Sequence, residues 1–171
     1  MLPKTITLGT AVLLIAGAPG AAAETERAGA AEVVAKVQQA ATLIEREGDA
    51  AFAILANPLS GFVWKDTYVF VVNCDADRVM ANPAFPERVG GDIKQHTDYA
   101  DKQYGLELCE VAANGGGWVE YVWLQPGGSV PMRKISYVIS PEGSPYQIGA
   151  GIYGDNKTLD ELNQLHDALA R

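Results

Sequence analysis

The sequence predicts an α+β fold, an antiparallel sheet of about five strands with helices packed against it. Two apolar stripes at helical spacing stand near the ends of the chain, over 25–46 and from 158 onward. Between them lie five runs rich in β-branched and aromatic residues. The turn sequences CDADR, QPGGS and SPEGSP separate neighbouring runs closely enough for hairpins. The chain of 171 residues suits one domain with a real core.

The first helix, 25–46, groups Val33, Val34, Val37, Ala40, Ala41 and Ile44 on one face, with Leu43 at its edge. Gly48 breaks it, Asp49 is placed to cap a short second helix, and Pro58 ends that helix. The first strand, 66–73, alternates Thr67, Val69 and Val71 against Tyr68, Phe70 and Val72. Its hairpin partner is RVMAN, 78–82. Pro83 and Pro86 then force an irregular segment, and 84–103 reads as polar loop. YGLELCEVAAN is short and helical, ending at the glycines of NGGG. GWVEYVW and MRKISYV are strands joined by QPGGS, and YQIGAGIYG, 146–154, is the last strand. Thr158 and Glu161 form a capping box for a closing helix striped by Leu159, Leu162, Leu165 and Leu169.

Residues 1–23 carry Lys4, a short broken apolar run and small residues at Ala21 and Ala23, the pattern of a secretory signal peptide. An uncleaved anchor is the alternative. Residues 24–171 then form the single mature domain, periplasmic or secreted. That part has 12 Lys and Arg against 21 Asp and Glu, a net of −9. Such a surface repels nucleic acid and anionic lipid, so neither is an expected partner. A carboxylate ligand would need a local base inside a pocket. Export permits a disulfide between Cys74 and Cys109, the only cysteines, against the alternative of two separate buried thiols. Those cysteines and His96 and His166 show no metal-ligand spacing, so no metal and no cofactor are expected.

If the QPGGS turn centres on Gly127 and Gly128, Tyr121 lies opposite Lys134. Tyr121, Trp123, Met132, Lys134 and Ser136 then share one sheet face, and a one-residue slip would reverse this. A lysine between tyrosine and tryptophan suits a small anion, because the ammonium supplies charge and the hydroxyl a directed donor. The plain alternative is a lysine lying along aromatic rings as packing.

The order DTYVFVVN, MANP, DYADK, GGGWVEYVW, KISYV and IGAGIY resembles the single Cache domain family, type 2, over roughly residues 28–155. The resemblance implies a Cache/PAS-like curved sheet, a long N-terminal helix packed on one face, a short C-terminal helix, and a ligand pocket on the opposite face. It implies a sensor of small molecules, often small organic acids. Matched position by position, it implies ligand-binding roles for Tyr68, Phe70, Tyr121, Trp123, Lys134 and Tyr153. Tyr137 also matches but faces away under the hairpin register. Asn82, before Pro83, is the seventh expected ligand residue; it stands where the family commonly has histidine, so a group able to carry charge becomes a neutral amide that still donates. Asp98 fits a family aspartate and equally a solvated turn residue.

The chain reads as a free-standing exported form acting with a membrane receptor, sensor kinase or transporter in signal transduction or chemotaxis, with the N-terminal helix available for a homodimer. Lys134 and Tyr121 would hold the ligand's polar group, Trp123 and Phe70 would line the pocket, and the loop 83–103 would close over the mouth. Catalysis is not expected: neither histidine adjoins a nucleophile motif, and no phosphate-binding loop is present. The alternative is a non-catalytic structural or protein-interaction module without a small ligand.

Overall fold

The computed structural model describes residues 26–169. The expected signal segment, 1–23, lies outside them. Helix α1 spans Ala30–Glu47, α2 Ala51–Ala56, α3 Tyr104–Ala113 and α4 Leu159–Leu169. The strands are β1 Val63–Trp64, β2 Thr67–Asn73, β3 Arg78–Ala81, β4 Gly117–Trp123, β5 Met132–Ile139 and β6 Gln147–Tyr153. They form one antiparallel sheet in the order β1-β2-β6-β5-β4, with β3 also paired to β2. The short β1 was not expected. It arises because Lys65 adopts a positive φ of 48° and folds Val63 and Trp64 back onto Tyr68 and Thr67.

Several boundaries move, each for a local reason. Helix α1 begins at Ala30, not 25, because Gly29 is its cap: the Gly29 carbonyl accepts from Val33 N and its N–H donates to Glu32. The segment before it runs extended and is tied down by Asp66, whose carboxylate accepts from Ala28 N at 2.8 Å and Gln125 Nε2 at 3.2 Å. That role takes Asp66 out of β2. Asn82 lies outside β3 and turns the chain by accepting from Phe85 N. The last strand is shorter than expected, 147–153. Asp49 does not cap α2; it sits in a 3₁₀ turn after Gly48 and accepts from the Tyr146 hydroxyl. The Thr158–Glu161 capping box is present, each side chain meeting the other's backbone N–H.

Both faces of the sheet are buried. Val69, Val71, Trp118, Ile135, Tyr137, Ile148, Ala150 and Ile152 pack against α1, α2 and Leu162 of α4. On the other face Tyr68, Phe70, Val72, Val119, Tyr121, Trp123 and Tyr153 meet α3 and the segment 82–103. A sheet covered on both sides explains why β2 is apolar at nearly every position and not only at alternate ones.

The covering segment is pinned by two aspartates. Asp77 accepts from Ile93 N and Lys94 N at 3.0 and 2.7 Å. Asp98 accepts from Ala100, Lys102 and Val122 N–H groups at 2.7–2.9 Å, which staples the loop to β4. Gly105 lets α3 approach this segment: a Cβ there would stand 1.8 Å from the Ile93 carbonyl oxygen.

Cys74 and Cys109 form the expected disulfide, joining the β2–β3 turn to α3 across 35 positions. It holds α3 over the sheet face and restricts the unfolded chain. Replacing both cysteines by serine is expected to cost roughly 3–4 kcal/mol of unfolding free energy by the loop-entropy relation. Urea denaturation of the oxidised protein and the double variant measures this; equal midpoints would show that packing alone holds α3.

Candidate functional site

The β4–β5 register places Tyr121 opposite Lys134, as the turn predicted. Lys134 also stands opposite Tyr153 of β6. From β5 its side chain passes over Gly151 of β6 towards Tyr68 of β2. Only glycine permits this path, since a Cβ at Gly151 would lie 2.6 Å from Lys134 Cε and from Ser136 Oγ. Gly149, one step along the same face, does the same for Phe70, whose ring would sit 2.4 Å from an added Cβ.

Lys134 is 1% exposed. Its Nζ donates to the Tyr68 hydroxyl at 3.2 Å. Four rings surround it, with centroids at 4.3 Å for Tyr68, 5.0 Å for Tyr153, 5.5 Å for Phe70 and 5.7 Å for Tyr121. Among the described residues no carboxylate pairs with it. The rings offer cation–π attraction but no counter-charge, so burial brings the ammonium from its ordinary 10.5 down to about 7.

Burial raises the hydroxyls instead. Tyr104 is pushed up to about 12 by burial, and Tyr68, Tyr121 and Tyr153 are raised for the same reason. All four are neutral donors at physiological pH. Tyr121 and Ser136 hydroxyls share a bond of 2.8 Å, and Tyr153 donates to the Leu124 carbonyl at 2.8 Å.

Beside this cluster lies a cavity lined by Tyr68, Phe70, Asn82, Arg88, Tyr104 and Tyr121, closed by Trp123 and apolar residues. It offers about 20 Å³ to the centre of a water molecule, room for about one water. Five of the seven expected ligand residues (Tyr68, Phe70, Asn82, Tyr121 and Trp123) are therefore on its wall. Lys134 and Tyr153 stand behind that wall, and Lys134 reaches it through the Tyr68 hydroxyl. Tyr137 faces the helices and bonds His166 Nδ1 at 3.0 Å. Asp98 is occupied by the backbone.

Two residues at the cavity were not anticipated. Tyr104 opens α3 and stacks on Tyr121 with centroids 4.4 Å apart and planes 18° apart. Arg88 comes from the covering segment; its guanidinium lies 4.8 Å from the Trp123 ring centroid and donates to the Tyr104 hydroxyl at 3.4 Å. No carboxylate among the described residues pairs with Arg88 either. An aromatic at the head of an apolar helix was a usable signal for Tyr104. Nothing in the local sequence distinguishes Arg88 from a solvated loop cation.

The family model described as Single Cache domain 2 matches residues 21–158. The sensor histidine kinase MctS of Rhizobium johnstonii is 30% identical over 92 residues, 54% of this chain and 20% of that one. The chain thus spans about a fifth of the length of the curated relatives it matches. A periplasmic sensor domain of a chemotaxis protein superposes with a TM-score of 0.62 at 29% identity, over 73% of this chain and 94% of that one. A Cache chemosensory domain described as recognising carboxylic acid superposes with a TM-score of 0.61 at 22% identity, over 74% and 93% of the two chains. No helix among the described residues is long and apolar enough to cross a membrane.

The buried lysine has a pH signature. Its folded value is about 7 and its unfolded value 10.5, so between them the unfolded chain binds the extra proton. Stability is therefore expected to rise with pH over roughly 7–9.5, by at most about 1.4 kcal/mol per unit. Above pH 10 the trend reverses, because the unfolded chain ionises tyrosines that the fold keeps protonated. Lys134→Met removes the rise while retaining the stem's volume. Urea unfolding at intervals from pH 6.5 to 9.5 reads it; an identical slope in Lys134→Met would assign the effect elsewhere.

Proposed function

The chain belongs to the single Cache domain 2 family, and we propose that it is an extracytoplasmic sensor that captures a small organic acid in the aromatic cavity. One observation carries this reading. Arg88 lines a cavity with tyrosine hydroxyls on its wall, Lys134 stands behind that wall on the Tyr68 hydroxyl, and neither basic group has a carboxylate partner among the described residues. A ligand carboxylate supplies the missing charge where water is scarce and the attraction is strong. The carbonyl or hydroxyl of a substituted acid would find a donor in Asn82 or Tyr104. The likeness to a domain described as recognising carboxylic acid supports the same chemistry.

In this reading Arg88 and the Tyr68 hydroxyl contact the carboxylate. Accepting a bond from Lys134 leaves the Tyr68 proton free to be donated to the cavity, so Lys134 strengthens Tyr68 as a donor from behind. Phe70 and Trp123 give the apolar lining. A cavity with room for about one water admits such a ligand only if Arg88 and Trp123, which close one side of it, move apart. Occupancy would be passed to a membrane receptor, sensor kinase or transporter, and α1 offers a surface for a homodimer.

A thermal-shift titration of the purified protein with acetate, propionate and pyruvate, against acetamide as the neutral control, tests the reading. The acids are expected to raise Tm by mass action and the amide to leave it unchanged. Arg88→Gln is expected to weaken the acids about tenfold or more, the scale of a charged hydrogen bond. Equal shifts with acid and amide would overturn the carboxylate anchor, and no shift with either would leave a structural or interaction module as the better reading.

A further inference from the structure

Arg88 and Trp123 do not only close the inner cavity. Their outer side borders a second space, a cleft of about 350 Å³ on the same measure, walled by Phe85, Thr97, Tyr99 and Leu124. The inner cavity offers about 20 Å³. Small-molecule sites run from roughly 300 Å³ upward, so only the outer space has the volume for an organic group of several carbons.

The outer cleft is built of aromatic rings. Phe85 and Tyr99 both meet Trp123 edge to face, with centroids 6.0 and 5.6 Å away. Tyr99 is 56% exposed. It is nevertheless held in place, because its N–H donates to the Val122 carbonyl and its neighbour Asp98 is bonded to three backbone N–H groups. The carboxylate of Asp98, though at the cleft, is spent on those bonds. Glu87 also lines the cleft and is exposed to solvent. The guanidinium of Arg88 is thus the cation at the cleft, 4.8 Å from the Trp123 ring centroid, with one amino group on Tyr104 and its other N–H donors uncommitted to the described residues.

A carboxylate on that guanidinium has two ways to direct its hydrocarbon. Inward there is room for about one water; outward there are three rings and a leucine. We propose that the outer cleft is a second subsite that holds the hydrocarbon of an aryl-substituted carboxylic acid whose carboxylate sits on Arg88. This rests on the small-acid reading above and extends it: the domain ranks acids by their apolar part and takes aryl acids in preference to acetate. A phenyl ring would complete a cluster of edge-to-face contacts with Trp123, Tyr99 and Phe85.

Isothermal titration of the purified protein with phenylacetate and with acetate tests the proposal, with Tyr99→Ala and Arg88→Gln beside wild type. Phenylacetate is expected to bind about tenfold tighter than acetate, from the apolar area the ring removes from water. Tyr99→Ala, at an exposed position, is expected to weaken phenylacetate about fivefold, the scale of one aromatic contact, and acetate far less. Arg88→Gln is expected to weaken both acids. Binding of acetate without phenylacetate would overturn the outer subsite and leave the small-acid reading standing. So would equal losses for both acids in Tyr99→Ala. Phenylacetate affinity unchanged in Arg88→Gln would overturn the placement of its carboxylate. Binding of neither acid would overturn this inference together with the reading beneath it.

Discussion

A fully buried ammonium with no carboxylate partner among the described residues is the constraint around which this domain is arranged. Desolvating such a group is costly, and the fold offsets the cost with four ring faces and one hydroxyl, not with an opposite charge. Each ring sits on a different position of β2, β4 or β6, so the cage exists only when three strands are in register around β5. Gly151 is part of the same requirement, because the stem crosses the sheet where a side chain would otherwise stand. The cluster is therefore a product of the whole sheet and not of any one motif.

What the sequence made legible follows from how local each feature is. The β4–β5 hairpin was readable because one turn, QPGGS, sets the register of both strands and hence which of their side chains share a face. Tyr121, Trp123, Lys134 and Ser136 fell together on that basis, and Tyr137 was correctly turned away. The strand alternation of β2 likewise separated Tyr68 and Phe70 from Val69 and Val71. The disulfide was legible from compartment and count.

What was not legible depends on contacts distant in the chain. Arg88 lies in a segment that two prolines make irregular, where no periodicity tells a side chain's direction. It is placed by Asp77, which holds the loop by the backbone of Ile93 and Lys94, and by Asp98, which staples it to β4. Aspartates with free-looking carboxylates in a polar loop read as surface; here their oxygens serve as ties, which the spacing alone does not reveal. Lys134 was read as a wall residue because facing a site and reaching its surface look alike in a register argument. The depth at which the ammonium stops is set by Tyr68 from β2, which the hairpin does not contain. Asp66 was missed for the same reason, its partners being 38 and 59 positions away.

The two cations of the site consequently have different physical roles. Arg88 lies at the boundary between the inner cavity and the outer cleft, so its guanidinium is presented to both. Lys134 is held near the point of neutralisation by burial alone, and any anion placed beyond Tyr68 favours its charged form. In the proposed reading, a carboxylate bound at the Arg88 side would draw a proton onto Lys134 whenever the unliganded lysine is partly neutral, and affinity for the acid would fall as pH rises above about 7. A lysine paired with a carboxylate in the free protein would show no such coupling, since its charge would already be fixed. In that reading, the absence of a counter-ion among the described residues links the packing of the sheet to the chemistry of the proposed ligand: the feature that makes the core costly to fold would be relieved by an anion.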